Sequence, residues 1–209
     1  MIYADHAATT KISETAKLAM LSAMEKDWYN PSSLYTPGQQ ASGTLMDARV
    51  RIAHCLGCLP KEIYFTSGGS EADNQAILSA AAIGKRQGKM HIISTAFEHH
   101  AVLHTLKKLE KEGFEITLLD VGEKGIVSPV QVEKAIRPDT ILVTVMYANN
   151  EIGTIQPIRE IGAICRKNGV LFHTDAVQAA GHLQINVEKD QIDMLSLSAH
   201  KFNGPKGIG

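Results

Sequence analysis

Two short stretches near the end of the chain hold residues whose types and spacing could do chemistry: His173-Thr174-Asp175-Ala176-Val177-Gln178 and Ser198-Ala199-His200-Lys201. Each follows an apolar run that reads as a buried strand, Val170-Leu171-Phe172 and Met194-Leu195-Ser196-Leu197. A buried acid can hold a pyridine nitrogen protonated, and a lysine from a neighbouring strand end can form a Schiff base with an aldehyde. Those two groups are what pyridoxal phosphate chemistry requires, the acid keeping the ring able to accept electrons. Blander roles exist for the same residues. Asp175 could cap the next helix, and Lys201, like Lys206, could be a surface lysine.

Other polar groups stand at similar places. Thr66-Ser67-Gly68-Gly69-Ser70-Glu71 joins a short strand to a helix. Glycines there let the backbone approach a ligand, and first-turn N–H groups attract phosphate. The stretch matches neither G-x-x-x-x-G-K-[ST] nor G-x-G-x-x-G. Ser198 and His200 could donate to the same anion. Glu98-His99-His100 offers an imidazole that could stack on an aromatic cofactor and move protons, or simply cap a helix. Asn149-Asn150 reads equally as a polar turn or as amides orienting a phenolate or carboxylate. Gln178, three residues after Asp175, faces the same side if a helix starts there. The joint occurrence of phosphate turn, histidine, amide, acid, glutamine and lysine at strand ends is what favours a site.

Strand-like and helix-like segments alternate with short connections. Ser13 is placed to cap a helix running to about Met24, and a second helix begins near Gln39 and closes at Leu56. Strands are expected at 63–66, 91–94, 114–119, 141–147, 170–173 and 194–197, and helices at 71–85, 100–112, 129–136 and 158–168. Such alternation implies α/β architecture: a mostly parallel sheet covered on both faces by helices, a three-layer αβα domain. Ligands in such sheets bind beyond the carboxyl ends of the strands.

The chain has 209 residues, 44% hydrophobic and 21% charged, the composition of an ordinary soluble globular protein. A formal net charge of -1 without a basic block leaves no footprint for nucleic acid. No apolar run approaches the roughly 20 residues of a membrane span, and Met1-Ile2-Tyr3-Ala4-Asp5-His6 lacks the pattern of a secretory signal. Cytoplasm is the expected compartment. Cys55 and Cys58 form a C-x-x-C that closes a helix rather than opening one, and Cys165 falls on an apolar helix face. All three are read as packing residues, since free cysteine is commonly buried; no metal site is expected.

At this point the chain resembles the N-terminal part of the cysteine desulfurases, the NifS-like branch of the class V aminotransferases. The resemblance rests on Tyr3–Thr10, Asn30-Pro31-Ser32-Ser33, Phe65–Asn74, Glu98-His99, Asn149–Gly153, His173–Gln178 and Ser198–Gly209, with the second lysine, Lys206, as in the group I enzymes. It implies the large domain of the aspartate aminotransferase-like fold (fold type I), with 1–12 as an N-terminal segment and 13–209 as the cofactor-binding domain. By the same resemblance Lys201 would hold pyridoxal 5'-phosphate as a Schiff base. Asp175 would bond the ring nitrogen, Gln178 the phenolic oxygen, and His99 would stack on the ring and transfer protons. Gly69, Ser70, Ser198 and His200 would hold the phosphate, and Asn150 the cofactor and substrate side.

The implied reaction converts L-cysteine to L-alanine, leaving a persulfide on an enzyme cysteine for an iron–sulfur scaffold or another sulfur acceptor. A homodimer is implied for the full-length form. In the family, the persulfide cysteine, the substrate-carboxylate arginine and the small C-terminal domain lie beyond the equivalent of Gly209. The chain is therefore expected to be C-terminally truncated and inactive alone. Other class V activities, such as a selenocysteine lyase or an aminotransferase, and a non-catalytic partner module stay open as alternatives.

Overall fold

A computed structural model describes residues 2–209. Five parallel strands form its sheet: β1 (His91–Thr95), β2 (Glu115–Leu119), β3 (Thr140–Thr144), β4 (Leu171–Asp175) and β5 (Met194–Ser196), in the order β2-β1-β3-β4-β5. Six helices accompany them: α1 (Glu14–Lys26), α2 (Thr36–Leu56), α3 (Gly69–Gln87), α4 (His100–Lys111), α5 (Pro129–Ala135) and α6 (Ile158–Lys167). The expected three-layer α/β architecture is the one observed.

Alternation along each strand explains the two cores. Ile92 of β1 and Leu142 of β3 pack with Ile77 and Ala80 of α3 and with Val102, Leu106 and Leu109 of α4. Their sequence neighbours Ile93 and Val143 point to the other face, where they join Phe172, Val132 of α5 and Ile158, Ile161 and Cys165 of α6. Strands buried on both faces read as continuous apolar runs rather than alternating ones. That is why Ile141-Leu142-Val143 looked like a strand by composition alone. β1 and β3 are buried throughout, while the edge strand β2 exposes Glu115 and Leu118. The buried histidine of β1 is paired on both sides. His91 bonds Thr140 Oγ1 at 2.7 Å and Thr117 Oγ1 at 2.8 Å.

Three expectations need correction. Ile63–Thr66 is extended but makes no ladder. Only Thr66 pairs, exchanging two backbone bonds with Gly209 at 2.8 and 2.9 Å, while Arg49 donates to the Ile63 carbonyl and lies 4.8 Å over the Phe65 ring. Helix α2 begins at Thr36 instead of Gln39, because Pro37 fits a first helical turn, where no N–H is needed. Finally, Cys55 is exposed and Cys58 half-buried, so only Cys165 is a packing residue. Cys55 sits in the last turn of α2, a helix that buries only Gly38, Ala41 and Ala53.

Candidate active site

β1, β3, β4 and β5 all end on the same side of the sheet, and the strand order reverses direction between β1 and β3. A crevice outside the carboxyl ends at such a point is where open α/β sheets take ligands. A cleft of about 530 Å³ lies there. Gly69, Ser70, His99, Asn150, Asp175, Gln178, Ser198, His200 and Lys201 all line it, so the residues to which the resemblance gave a cofactor role reach one place.

Asp175 is the last residue of β4 and 5% exposed. Its Oδ1 accepts the Val177 N–H at 2.9 Å. Burial pushes this carboxyl up, opposed by that amide and by His99 and Lys201. Its carboxyl opens on the cleft, where a cationic partner would keep it ionised. Lys201 closes a short 3₁₀ turn, Ala199–Lys201, just beyond β5. Its Nζ donates to the Ala8 carbonyl at 3.1 Å and to the Ala7 carbonyl. Burial lowers its ammonium, against the pull of Asp175 and Asp5. A lowered amine is the form that attacks an aldehyde.

The other end of the cleft is built for an anion. Gly68, at φ 152° and ψ 178°, occupies backbone territory essentially reserved for glycine and turns the chain into α3. A side chain on Gly69 would meet Val177 Cγ2 at 2.7 Å, so only glycine lets the first turn of α3 pack this close. Glu71 accepts the Ser67 N–H at 2.5 Å, and Ser70 and Gly69 stand at the positive end of a 19-residue helix. Ser198 is 5% exposed, and His200 faces Thr9 Oγ1 through Nδ1 at 3.0 Å.

His99 takes the capping role and also stands at the cleft. It caps α4, its Nδ1 accepting the Ala101 N–H at 3.2 Å, and it lines the cleft. An accepting Nδ1 puts the proton of the neutral ring on Nε2. Asn149 is buried and supports the next residue: its Oδ1 accepts from Glu151 N at 2.8 Å and Ile152 N at 3.0 Å, leaving Asn150 at the cleft. Gln178 Nε2 donates to the Ala7 carbonyl at 2.9 Å.

Asp5, Ala7, Ala8, Asp73, Met146 and Val177 also line the cleft, and the sequence reading gave them no role. Asp5–Ala8 act largely through backbone carbonyls, which leave no mark on residue type. The segment lay inside the Tyr3–Thr10 motif, the signal that could have found it. Asp73 likewise lay inside the Phe65–Asn74 motif, but as one polar residue among several on α3 its type gave it no separate role. None of the three cysteines lines the cleft, and the described residues hold no cluster of three or more His, Cys, Asp or Glu fit for a metal ion. No helix among them is long and apolar enough to cross a membrane.

Similar proteins place this arrangement. The aminotransferase class-V family model matches residues 2–209. "Cysteine desulfurase IscS" of Methanosarcina thermophila is 52% identical over 208 residues, covering 100% of this chain and 51% of that protein. "Putative cysteine desulfurase IscS 1" of Bacillus subtilis (strain 168) is also 52% identical, with 55% of its length covered. The chain thus spans about half the length of the curated relatives it matches. A solved structure described as "SspA in complex with cysteine" superposes at TM-score 0.95 with 42% identity, covering 100% of this chain and 60% of that one. A "NIFS-LIKE PROTEIN" superposes at TM-score 0.95 with 38% identity, covering 100% and 57%. By sequence over its whole described length and by fold, the chain belongs to the aminotransferase class-V family.

Proposed function

We propose that this chain carries the pyridoxal 5'-phosphate site of a cysteine desulfurase, which turns L-cysteine into L-alanine and leaves the sulfur as a persulfide on a protein thiol. The observation that carries the reading is the meeting of Lys201 and Asp175 in one cleft with a helix N-terminus at its other end. The donor set fits the cofactor group by group: an amine for the aldehyde, an acid for the ring nitrogen, and amides, Ser198 and His200 for the phosphate. Relatives named cysteine desulfurase support the choice of chemistry.

When bound, pyridoxal phosphate supplies an electron sink for charge developing at the substrate α-carbon. The chain's own groups do the rest. Lys201, held in the cleft by the Ala7 and Ala8 carbonyls, would be the covalent anchor and would supply the base for the α-proton. Asp175, already fixed by the Val177 amide, holds the ring-nitrogen proton. Gln178 would orient the phenolic oxygen, His99 would cover the ring, and Asn150 would serve the cofactor and substrate side. Gly69, Ser70, Ser198 and His200 hold the phosphate. The sulfur-accepting thiol is outside the lining residues, since Cys55 sits in the last turn of α2, Cys58 just past its end, and Cys165 is buried in the core on α6. A homodimer and passage of the sulfur to an iron–sulfur scaffold or similar acceptor belong to the same proposal.

Two readouts test it. The chain mixed with pyridoxal phosphate should turn yellow, and Lys201→Ala should lose the band. In heavy water the loaded chain should exchange the α-proton of L-alanine, which needs no thiol, and Asp175→Ala should slow that exchange by orders of magnitude. A band that survives in Lys201→Ala, or full exchange in Asp175→Ala, would count against the assignment.

A further inference from the structure

Asp73 and Glu98 are buried acids near Asp175, 1% and 4% exposed, and Asp73 also lines the cleft. Glu98 has a local explanation: its Oε1 accepts the Thr95 hydroxyl at 2.6 Å and the Met146 amide at 2.9 Å, tying the loop after β1 to the end of β3. Asp73 has none. Its Oδ1 makes no hydrogen bond and lies 3.7 Å from His173 Nε2, too far for one. That imidazole is already engaged at both nitrogens, by Thr144 Oγ1 at 2.8 Å and by Ser196 Oγ at 2.9 Å. Burial drives His173 down to about 3, so it is neutral and offers Asp73 no countercharge.

The titratable groups around Asp73 can be named element by element. β4 presents His173 and Asp175, and β5 and β3 present the hydroxyls Ser196 and Thr144. Glu98 stands in the loop after β1, His99 at the start of α4, and Lys201 beyond β5. Two carboxylates buried in the wall of one cleft and close enough to feel each other's charge do not both ionise readily. Asp175 has the Val177 amide, His99 and Lys201 on its side, so it gives up its proton first. Burial and the Asp175 charge push Asp73 to about 8, with Ser196 opposing.

On the reading of the cleft as a pyridoxal phosphate site, we propose that Asp73 is a positioning residue for its ring-nitrogen side. It is a second carboxyl behind Asp175 that keeps its proton while the cleft is empty and releases it when a ring cation settles against Asp175. An extra negative charge would then appear only when there is a positive one to balance it. An unpartnered oxygen buried at the wall of the cleft is the mark of a group whose partner arrives with the ligand.

The sign of the coupling is fixed. A cation bound nearby favours the ionised form, so binding is tighter where Asp73 is free to ionise. Titrating the full chain with pyridoxal phosphate between pH 6.5 and 8.5 should show wild-type affinity rising about tenfold relative to Asp73→Asn, one pKa unit of coupling. Parallel curves for the two proteins would overturn the role of Asp73. If Asp73→Asn does not fold, infrared difference spectra of wild type decide: the protonated-carboxyl stretch should diminish on cofactor binding, and no change would overturn it. Failure of wild type itself to form a Lys201-dependent visible band would sink the pyridoxal reading and this inference with it, whereas a band with parallel curves sinks the inference alone.

Discussion

Helices α1 and α3 are both rich in alanine and larger apolar residues, and they behave differently. α3 buries Gly69, Asp73, Ile77, Ala80, Ala81 and Gly84 between the sheet and α4, whereas α1 buries nothing. Leu18 and Met24 of α1 are 57% and 65% exposed, and Trp28 and Leu34 beyond it 68% and 90%. The sheet region is held by burial. The N-terminal region is held by polar ties to the far end of the chain: Thr10 N to the His200 carbonyl at 2.8 Å, Ser13 N to the Asn203 carbonyl at 2.9 Å, and Asn203 Nδ2 to the Lys11 carbonyl at 2.9 Å. Those ties lay Ala7 and Ala8 over Lys201. An apolar stripe stabilises a helix only where a neighbour covers it, so one pattern yields a core in one place and a surface in the other.

Core truncation should separate the two regions most. Phe172 is fully buried, and Phe172→Ala should remove about 3–5 kcal/mol of stability, read from denaturant midpoints. Trp28→Ala, an equally drastic change on paper, should stay within about 0.5 kcal/mol. Similar losses from both would abolish the distinction.

Glycines give a second, smaller contrast of opposite sign. A side chain on Gly84 of α3 would meet the Lys89 carbonyl at 2.5 Å, so Gly84→Ala should destabilise by about 1–3 kcal/mol. Nothing lies within 4 Å of a side chain added at Gly43 of α2, where Gly43→Ala should stabilise by about 0.5–1 kcal/mol through lower backbone entropy in the unfolded chain.

Glu98 adds a pH signature to the buried side of the comparison. Burial lifts it from its ordinary 4.5 to about 8, despite the bonds from Thr95 and Met146. The folded state therefore keeps a proton that the unfolded chain gives up, and stability should fall as pH climbs from about 4.5 through about 8. Glu98→Gln keeps an oxygen for both donors but cannot ionise. Its stability relative to wild type should improve across that window by on the order of 1–2 kcal/mol, and an unchanged difference between pH 5 and 8.5 would contradict the buried-acid picture. A modest effect belongs to α1: Ser13→Ala removes the cap on the Ala16 amide, 3.2 Å in length, and should lose about 1 kcal/mol at most in urea titrations.

Much of this was legible in the residues. Apolar runs such as Ile141-Leu142-Val143 marked strands because both faces are buried, and Ser13 marked a helix start because its hydroxyl has one use there. Asp175, Gln178, His99 and Lys201 were legible because each stands in a polar cluster a few residues past the apolar run of a strand. The illegible parts follow from what residue types do not encode. Ala7 and Ala8 contribute carbonyls, so their side chains give no cue. The 63–66 segment has strand composition yet pairs only at Thr66, and pairing depends on the neighbour rather than on the segment. Cys55 looked like a packing residue because free cysteine is commonly buried, whereas α2 buries only Gly38, Ala41 and Ala53.

The most direct measurement is reduction of the pyridoxal phosphate-treated full chain with borohydride, followed by peptide mass mapping. A single reduced adduct on Lys201, the amine that burial lowers beside Asp175, is the predicted result. An adduct spread over exposed lysines such as Lys17 and Lys167, or none at Lys201, would contradict the placement of the cofactor at the carboxyl ends of β4 and β5.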